Sequence, residues 1–390
     1  MNRHLRLLAC LAALAPLATA CTGPALTGRM APAPLVPPKI QMLTVAESPR
    51  QWTGVAVSHT GRIFVNFPRW SDDVPISVAE LRPAPSEGFS FKQVPLVPVA
   101  YPDSAWQSFT QDADHADHPD PKNTFVCVQS VVVDDQDFLW VVDAGAPKMG
   151  DILPSAPKLI KINLQSNQVE RIYPIDPPAL EKRSYLNDVR IDTHRGIAYL
   201  TDSGAGAILT VNLNSGEVAR RLAGHPSVMS ERATPVIDNK PWLRNGQPPE
   251  VHSDGIALSP DGKWLYYHAL TGRTLYRIPT DALLTNMDPN AINRVIQNLG
   301  RTGPADGIEY DSNDCLFLTQ LDQNAIVRFI PNGAGNHVQL LVQDPAIAWP
   351  DSLAIGPDGA LYFTTSQINL QPNPPGPYRL FKLIPKPDNR

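Results

Sequence analysis

Cysteine, long apolar runs and positive charge are all scarce in this sequence. Of four cysteines in 390 residues, only Cys127 and Cys315 lie beyond residue 40, too few for a disulfide scaffold. The apolar run over residues 7–18 is too short to span a bilayer permanently. The formal net charge is -5, so we expect no basic face and no nucleic acid partner.

The usual motifs of several enzyme classes are also missing. The sequence contains no G-x-S-x-G elbow, no H-E-x-x-H, no P-loop and no G-x-G-x-x-G after a strand. Each of these motifs positions a nucleophile, a zinc ion or a phosphate. Serine hydrolase, zincin and nucleotide-binding functions are therefore disfavoured.

The amino terminus has the features of an export signal. Arg3 and Arg6 precede the apolar run, and small residues then lead to Cys21. This pattern predicts a signal peptide over residues 1–20 and, by its likeness to bacterial lipoprotein signals, lipidation of Cys21. Residues 21–40 then form a Pro-rich tether, and residues 41–390 the folded part. We expect a bacterial cell-envelope lipoprotein, in the periplasm or outer membrane, with simple secretion as the alternative.

Six segments share one plan: a polar residue, a small or acidic residue, and a short apolar strand. Each is followed by a tight polar turn and a second apolar strand. The six openings are Thr53-Gly-Val-Ala-Val57, Gln129-Ser-Val-Val-Val133, Asn187-Asp-Val-Arg-Ile191, Asp254-Gly-Ile-Ala-Leu258, Asp306-Gly-Ile-Glu-Tyr310 and Asp351-Ser-Leu-Ala-Ile355. Repeated units of this kind predict an all-β, six-bladed β-propeller.

The two ends of the folded part complement each other. After the strand from Tyr378 to Leu383 the chain is too short to supply a fourth strand of blade six, whereas Gln41-Met-Leu-Thr-Val45 has no hairpin partner nearby. We expect this N-terminal strand to complete the last blade and close the ring, which hides its open edges. We expect a monomer.

A propeller brings the openings of its inner strands to one mouth. Two sets of side chains should then meet there. The inner-strand openings supply Thr53, Gln129, Asn187, Asp254, Asp306 and Asp351, and the ends of the second strands supply Asn66, Asp143, Asp202, His268, Gln320 and Thr365 or Ser366. From these sets, Thr53, Gln129, Asp202 and Gln320 are candidates for binding a small-molecule ligand.

Acidic residues at this mouth permit two interpretations. Converging carboxylates raise one another's pKa, and a divalent cation, Ca²⁺ above all, would relieve the repulsion. Its ligands would be Asn187, Asp254, Asp306 and Asp351. Alternatively, each Asp only caps its own turn. His268 and Asp143 are candidates for a catalytic acid or base, although a lone His is also a common structural residue.

The longest gap between openings separates Thr53 from Gln129. It contains an Asp- and His-rich run over residues 111–120. His115 and His118 could bind a metal there, and the composition equally suits a solvated loop.

Several motifs resemble the major royal jelly protein/Yellow family, in order along residues 51–383. They are Phe67-Pro-Arg-Trp70, Leu139-Trp-Val-Val-Asp143, Tyr199-Leu-Thr-Asp-Ser203, Asp254-Gly-Ile-Ala-Leu-Ser259 and Trp349-Pro-Asp-Ser-Leu-Ala-Ile355. The resemblance implies an exported six-bladed propeller that binds, and in some relatives converts, an aromatic or cyclic molecule in its funnel. It adds Arg69 and Trp70 to the ligand-binding candidates.

A second resemblance, at the level of the fold, is to the SMP-30/gluconolactonase group. Asn187 and Asp254 match cation-binding positions of that group, whereas Thr53 stands where the group has Glu. The resemblance implies a cation-dependent lactone hydrolase as an alternative to the Yellow-like function, whose enzymatic form would be an isomerase. A non-catalytic surface scaffold is the third hypothesis.

Overall fold

The computed structural model describes residues 40–84, 95–107, 120–311, 315–331, 337–372 and 374–385. The predictions for the signal peptide, the Cys21 lipid anchor and the tether up to residue 39 lie outside the described residues. So do His115 and His118. Within the described part, no helix is long and apolar enough to cross a membrane.

Six four-stranded antiparallel sheets and one two-stranded hairpin make up the described strands. Each sheet is one blade, and the inner strand of every blade contacts the inner strands of the two adjacent blades, so the blades form a closed ring. The predicted six-bladed β-propeller is confirmed.

The first three blades run from the inner to the outer strand in chain order. Blade 1 contains Val55–Val57, Ile63–Asn66, Val78–Pro83 and Leu96–Ala100. Blade 2 contains Val128–Val133, Phe138–Asp143, Lys158–Asn163 and Gln168–Pro174. Blade 3 contains Leu186–Asp192, Ile197–Asp202, Ala207–Asn212 and Val218–Arg221.

The remaining blades follow the same order except at the closure. Blade 4 contains Ser253–Leu258, Trp264–Ala269, Thr274–Pro279 and Gln297–Arg301. Blade 5 contains Ile308–Asp311, Cys315–Gln320, Ala325–Ile330 and His337–Gln343. Blade 6 contains Pro350–Ile355, Leu361–Thr365, Tyr378–Pro385 and, as its outer strand, the N-terminal Ile40–Ser48.

Closure of the ring follows the prediction. The N-terminal strand pairs antiparallel with the last strand, from Ile40 opposite Pro385 to Ser48 opposite Tyr378. Its Ala46 is buried in the same apolar cluster as Leu380. The two ends of the folded part therefore share one sheet, and the edge of the last strand, Tyr378–Pro385, is paired instead of open.

Two outer strands were missed in the sequence, for identifiable reasons. Leu96–Ala100 contains Pro98, which is tolerated because this strand is at the edge of its sheet. Gln297–Arg301 lacks alternating apolar residues, since its outward position leaves most of it exposed. It follows two short helices, Thr280–Leu284 and Pro289–Val295, the second capped by the Asp288 carboxylate, which accepts from the Ala291 N–H at 2.8 Å.

The hydrophobic core is divided into layers between adjacent blades. Six main clusters each combine residues of two consecutive blades, as when Trp140 of blade 2 packs with Leu200 of blade 3. Cys127 and Cys315 are both buried, and no disulfide bond joins them. The fold is thus held by apolar packing between blades and by sheet closure.

Turns between the first two strands follow their sequence signals. In Ser259-Pro-Asp-Gly262, the Ser259 N–H donates to the Trp264 carbonyl at 2.9 Å. Gly262 has a φ of 67°, a left-handed conformation that glycine adopts without steric cost.

Candidate functional site

A cavity of about 580 Å³ opens at the end of the ring where the inner strands begin. Its lining combines aromatic, acidic, amide and cationic side chains. These include Trp70, Tyr185, Trp242 and Trp349, then Asp254, Asp306 and Asp351, then Gln129 and Asn187, then Lys182, Arg183 and Arg244. The volume is that of a pocket for one small organic molecule.

A second cavity, of about 310 Å³, lies at the other ends of the inner strands. Several of its charged side chains bind each other, neighbouring hydroxyl groups or the backbone. Arg190 donates to the Ile308 carbonyl at 2.6 Å and to Glu309 at 3.2 Å, while Ser130 donates to Asp188 at 2.7 Å. We therefore assign the candidate functional site to the larger cavity.

β-Bulges direct the predicted ring residues toward the axis. The pairing of inner and second strands shifts register between Val128 and Ser130, between Leu186 and Val189, between Ser253 and Ile256, and between Pro350 and Leu353. Gln129, Asn187, Asp254 and Asp351 all lie within these irregularities. A bulge frees its residues from regular pairing and turns their side chains out of the pleat.

Two glycines then allow the acidic openings to approach one another. A Cβ at Gly255 would clash with the backbone carbonyl of Asp306, and a Cβ at Gly307 would clash with that of Asp351. The Asp-Gly pairs of blades 4 and 5 are therefore required for the close approach of the next blade. This is the local reason why three carboxyl groups converge.

Burial raises the pKa of all three carboxyl groups. The pKa of Asp254 lies well above its usual range because of burial first and then the nearby charges of Asp306, Asp188 and Asp351. The pKa of Asp351 is also well above its usual range, through burial and the charge of Asp306. Both groups therefore keep their protons to higher pH than an exposed carboxyl group does.

Asp306 is the group of the three that titrates near neutrality. Burial raises its pKa to about 7, opposed by hydrogen bonds from the Trp349 indole and from Asp254. The Trp349 Nε1–H donates to Asp306 Oδ2 at 2.6 Å. Asp254 and Asp306 thus form a hydrogen-bonded acid pair in which Asp254 retains the proton and Asp306 accepts.

A chain of hydrogen bonds connects this pair to the opposite side of the mouth. It involves residues of blades 1 to 5, and each member donates a hydrogen bond to the next. Trp70 Nε1 donates to Tyr185 Oη at 2.8 Å, Tyr185 to Gln129 Oε1 at 2.9 Å, Gln129 Nε2 to Asn187 Oδ1 at 3.3 Å, and Asn187 Nδ2 to Asp254 Oδ2 at 2.8 Å. Each side chain is oriented by the next, which fixes the carboxyl pair in place.

Trp349 has an unusual backbone conformation. Its φ is 56°, although it is neither glycine nor a turn-forming Asn, and its side chain is fully buried. Such a conformation costs of order 1–3 kcal/mol and persists where the surroundings impose it. Here it places the indole N–H against Asp306 and the ring edge-on to Trp242, with centroids 4.6 Å apart.

The structure brings half of the predicted site residues to the cavity. Trp70, Gln129, Asn187, Asp254, Asp306 and Asp351 line it. Thr53, Arg69, Asp143, Asp202, His268 and Gln320 do not. Most residues of the second group lie at the ends of second strands. Their side chains are buried inside the protein and do not line the cavity.

Asp143 and Asp202 are both held in buried ion pairs. Asp143 binds Lys158 Nζ at 2.9 Å and accepts from the backbone N–H groups of Val126 and Cys127, both at 2.8 Å. Asp202 accepts from Arg220 at 2.7 Å. These contacts orient loops between strands.

His268 is fully buried, and neither ring nitrogen has a hydrogen-bond partner among the described residues. Burial lowers its pKa to about 4, so the ring is neutral at pH 7. Its position on the second strand of blade 4 directs it into the blade. The expectation that His268 stands on the cavity wall is not met.

The other three candidates mainly bind backbone groups. Thr53 Oγ1 donates to the Gln129 carbonyl at 3.1 Å, Arg69 Nε to the Val126 carbonyl at 3.2 Å, and Gln320 Nε2 to the Thr302 carbonyl at 2.5 Å. Each bond joins segments that frame the mouth. None of the three side chains lines the cavity.

Sequence reasoning missed Tyr185, Trp242, Arg244 and Trp349. Tyr185 and Trp349 directly precede an inner strand, so their side chains reach the mouth. Trp242 and Arg244 belong to the long connection between blades 3 and 4, residues 222–252, which contains the Val236–Ile237 and Lys240–Pro241 hairpin. The Asn245-Gly246 dipeptide was the available signal, since it is typical of a tight turn.

The side chains at the mouth do not form a ready cation site. Among the described residues, no group of three or more His, Cys, Asp or Glu side chains is placed to hold a metal ion. Asp306 Oδ2 and Asp254 Oδ2 instead accept hydrogen bonds from an indole and an amide. These hydrogen bonds suit carboxyl groups that share protons better than carboxylates that coordinate Ca²⁺. The cation-binding hypothesis stays a prediction.

The fold and this mouth define a class: six-bladed propellers with a small central cavity and carboxyl groups on its floor. Within that class, residues 126–372 match the family model described as major royal jelly protein. The chain belongs to the major royal jelly protein family.

A curated relative supplies a second comparison. A 6-deoxy-6-sulfogluconolactonase from Pseudomonas putida is 30% identical over 120 residues, which are 30% of this chain and 39% of that protein. The chain therefore spans well under half the length of this curated relative.

Solved structures share the architecture at low identity. A gluconolactonase from Xanthomonas campestris matches with a TM-score of 0.53 and 12% identity, over 90% of this chain and 91% of that one. A streptogramin B lyase matches with a TM-score of 0.51 and 14% identity, over 89% and 98%. A luciferin-regenerating enzyme matches with a TM-score of 0.51 and 14% identity, over 89% and 95%. At such identities, the matches establish a common fold alone.

Proposed function

We propose that this protein hydrolyses a small lactone in its central cavity. The observation that carries the proposal is the hydrogen-bonded pair of Asp254 and Asp306, in which Asp306 has a pKa of about 7. A general base is most effective when its pKa lies near the working pH. The lactonase relative and the gluconolactonase-like fold support the same reaction class.

The proposed chemistry needs only water as co-reactant. Asp306 accepts a proton from a water molecule, and the resulting hydroxide adds to the lactone carbonyl carbon. The ring C–O bond then breaks, and the proton held by Asp306 passes to the departing ring oxygen. The product is the open-chain hydroxy acid, and Asp306 is returned to its ionised form.

Replacing the proposed base provides the direct test. Asp306→Asn is expected to lower lactone turnover by about 10²–10⁴-fold, the usual contribution of a general base. D-Glucono-1,5-lactone at pH 7.5 is a suitable first substrate, with ring opening followed by acid release. Asp261→Asn, in an exposed turn, is the matched control and should retain full activity. Equal activity of Asp306→Asn and the unmodified protein would exclude the proposed base.

The cation-dependent form of the same reaction is tested separately. With the acid pair as the base, turnover should survive dialysis against EDTA. Loss of turnover that Ca²⁺ restores would instead make Asn187, Asp254, Asp306 and Asp351 cation ligands, with the cation activating the water.

The aromatic lining favours a second candidate function, binding of an aromatic or cyclic molecule without conversion. Trp70, Tyr185, Trp242 and Trp349 present four rings to the cavity, and aromatic rings bind flat apolar ligands well. Saturable binding of an aromatic amine such as tryptamine, with no turnover of any lactone, would favour this candidate. If neither ligand class binds, the scaffold hypothesis gains support.

We extend the proposal to the location of the protein: export, followed by attachment through a lipid on Cys21. The apolar run and the small residues before Cys21 support it. Cys21→Ala should move the protein from the membrane fraction to the soluble fraction of the cell envelope. Unchanged membrane association would contradict the anchor.

A further inference from the structure

Three cationic side chains on the cavity wall have no hydrogen-bond or ion-pair partner among the described residues. Lys182, Arg183 and Arg244 line the cavity, and across the described ranges none makes a side-chain hydrogen bond or an ion pair. By contrast, Lys158 and Arg220, nearby in blades 2 and 3, are paired with buried carboxylates. Cations with free donors that converge on a cavity are suited to bind an anionic group.

Arg244 is the best placed of the three, because the backbone around it is fixed. Its N–H donates to the Gln247 carbonyl at 2.9 Å, and the Gln247 N–H donates back at 3.0 Å. Between them Asn245 and Gly246 have φ values of 50° and 73°, as in a type I′ turn. The guanidinium lies 5.1 Å from the centroid of the Trp242 ring, which supports it.

Trp242 also connects Arg244 to the residues around the acid pair. Trp242 is buried, and its ring meets Trp349 edge-on. Trp349 in turn binds Asp306. Arg244 is therefore held at a fixed position relative to the acid pair, as a group that orients a substrate must be.

The two ends of the cavity differ in charge. At the floor, burial favours the protonated forms of Asp254 and Asp351, so a neutral ring meets less repulsion there. At the mouth, the head groups of Lys182, Arg183 and Arg244 bind no acceptor in the part of the chain that the structure describes. A ligand with a neutral reactive ring and a charged substituent would satisfy both ends.

We propose that the cavity selects cyclic esters that carry an anionic substituent, with Arg244 binding that substituent and Arg183 and Lys182 assisting. This inference rests on the proposed lactone hydrolysis and names its substrate class. The anionic group is a carboxylate, sulfonate or phosphate, all of which match the forked donors of a guanidinium.

Two γ-lactones that differ in a single group provide the probes. D-Glucaro-1,4-lactone carries a carboxylate where D-glucono-1,4-lactone carries a hydroxymethyl group. Binding of each to the intact protein is measured by titration calorimetry at pH 5.5, where Asp306 is mostly protonated and turnover is suppressed. Sulfate is titrated as a further anion. The measurement thus reports binding even if no hydrolysis occurs.

The carboxylated lactone should bind about ten-fold or more tightly than the neutral one, as one charge-assisted contact allows. Arg244→Gln should remove this preference while leaving the affinity for the neutral lactone within about two-fold. Arg294→Gln, on an exposed surface of the second helix, is the matched control and should behave like the unmodified protein. Thermal unfolding of each variant verifies that the fold is kept.

Equal affinities for the two lactones, or an equal loss of both in Arg244→Gln, would overturn the inference. So would the lack of saturable binding by both the carboxylated lactone and sulfate. Preferred binding of the carboxylated lactone without turnover at pH 8 would retain the anion site and reject hydrolysis. Turnover of both lactones without preference would retain hydrolysis and reject the anion site.

Discussion

The Trp349 indole of one blade donates a hydrogen bond to the Asp306 carboxylate of the blade before it, at 2.6 Å. The donor lies in a segment with a strained backbone, and the acceptor titrates near neutrality. Because the bond favours the ionised form, it opposes the rise of the Asp306 pKa that burial causes. The contact therefore lowers the pKa of Asp306 from the value that burial alone would give it.

Removing this donor should shift the pH dependence of turnover upward. In Trp349→Phe, the Asp306 pKa should rise by about 1–2 units, since a hydrogen bond to a charged group contributes about 1.5–3 kcal/mol. Turnover requires ionised Asp306, so its midpoint moves to higher pH. The pH–rate profile is the measurement, with Trp264→Phe, at the start of the second strand of blade 4, as control. An unshifted midpoint in Trp349→Phe would separate this bond from catalysis.

The acid pair should make the protein less stable at high pH. Burial raises the folded-state pKa of Asp254 above its unfolded value of about 3.9, so its contribution is fully present below that value and lost as pH rises through the folded pKa. Asp254→Asn resembles the protonated acid and does not ionise. We expect it to match the unmodified protein near pH 4 and to exceed its free energy of unfolding at pH 8, with a gap that grows by up to about 1.4 kcal/mol per pH unit.

Denaturant unfolding across pH 4–9 measures this gap. The control is Asp261→Asn, because bonds from Ser259 and Lys263 hold the pKa of that exposed carboxyl to about 2, the opposite direction. Asp261→Asn should show no gain at pH 8. A pH-independent difference between Asp254→Asn and the unmodified protein would mean that the pKa of Asp254 is the same in the folded and unfolded states.

The buried pair of Asp143 and Lys158 should govern stability rather than chemistry. Both side chains are almost fully buried, and Lys158→Met leaves the Asp143 carboxylate without its cation. Loss of one partner of such a pair lowers the free energy of unfolding by about 3–5 kcal/mol. The exposed pair of Lys263 and Asp261 is the control, and Lys263→Met should cost less than about 1 kcal/mol. A folded, fully stable Lys158→Met with lost turnover would restore Asp143 as a catalytic candidate.

Closure by the N-terminal strand should be essential to the ring. A chain that begins at residue 49 lacks Ile40–Ser48 and exposes the edge of Tyr378–Pro385. We expect it to lose cooperative thermal unfolding and to self-associate, as open strand edges do. A chain that begins at residue 40 is the control and should unfold at the same temperature as residues 1–390. If the shorter chain unfolds cooperatively at the same temperature as the control, closure by this strand contributes little to the stability of the ring.

Pattern in the sequence was enough for the architecture because the propeller repeats. Six similar openings gave the blade number, and the mismatch between the chain ends gave the closing strand. Outer strands such as Gln297–Arg301 were not predicted, since half-exposed edge strands need no alternation of apolar residues. Local chemistry also predicted that Asp254, Asp306 and Asp351 converge, because each precedes or begins an inner strand.

Only the tertiary structure determines which side chains at the mouth line the cavity and which are bound in ion pairs. The sequence alone could not tell the free Arg244 from the paired Lys158, or the cavity-lining Asp306 from the salt-bridged Asp143, because partners lie in other blades. Nor could it place Trp349 and Trp242 together. The periodic pattern of one chain thus determines the ring, whereas contacts between distant segments determine which groups stay free, protonated or paired at its centre.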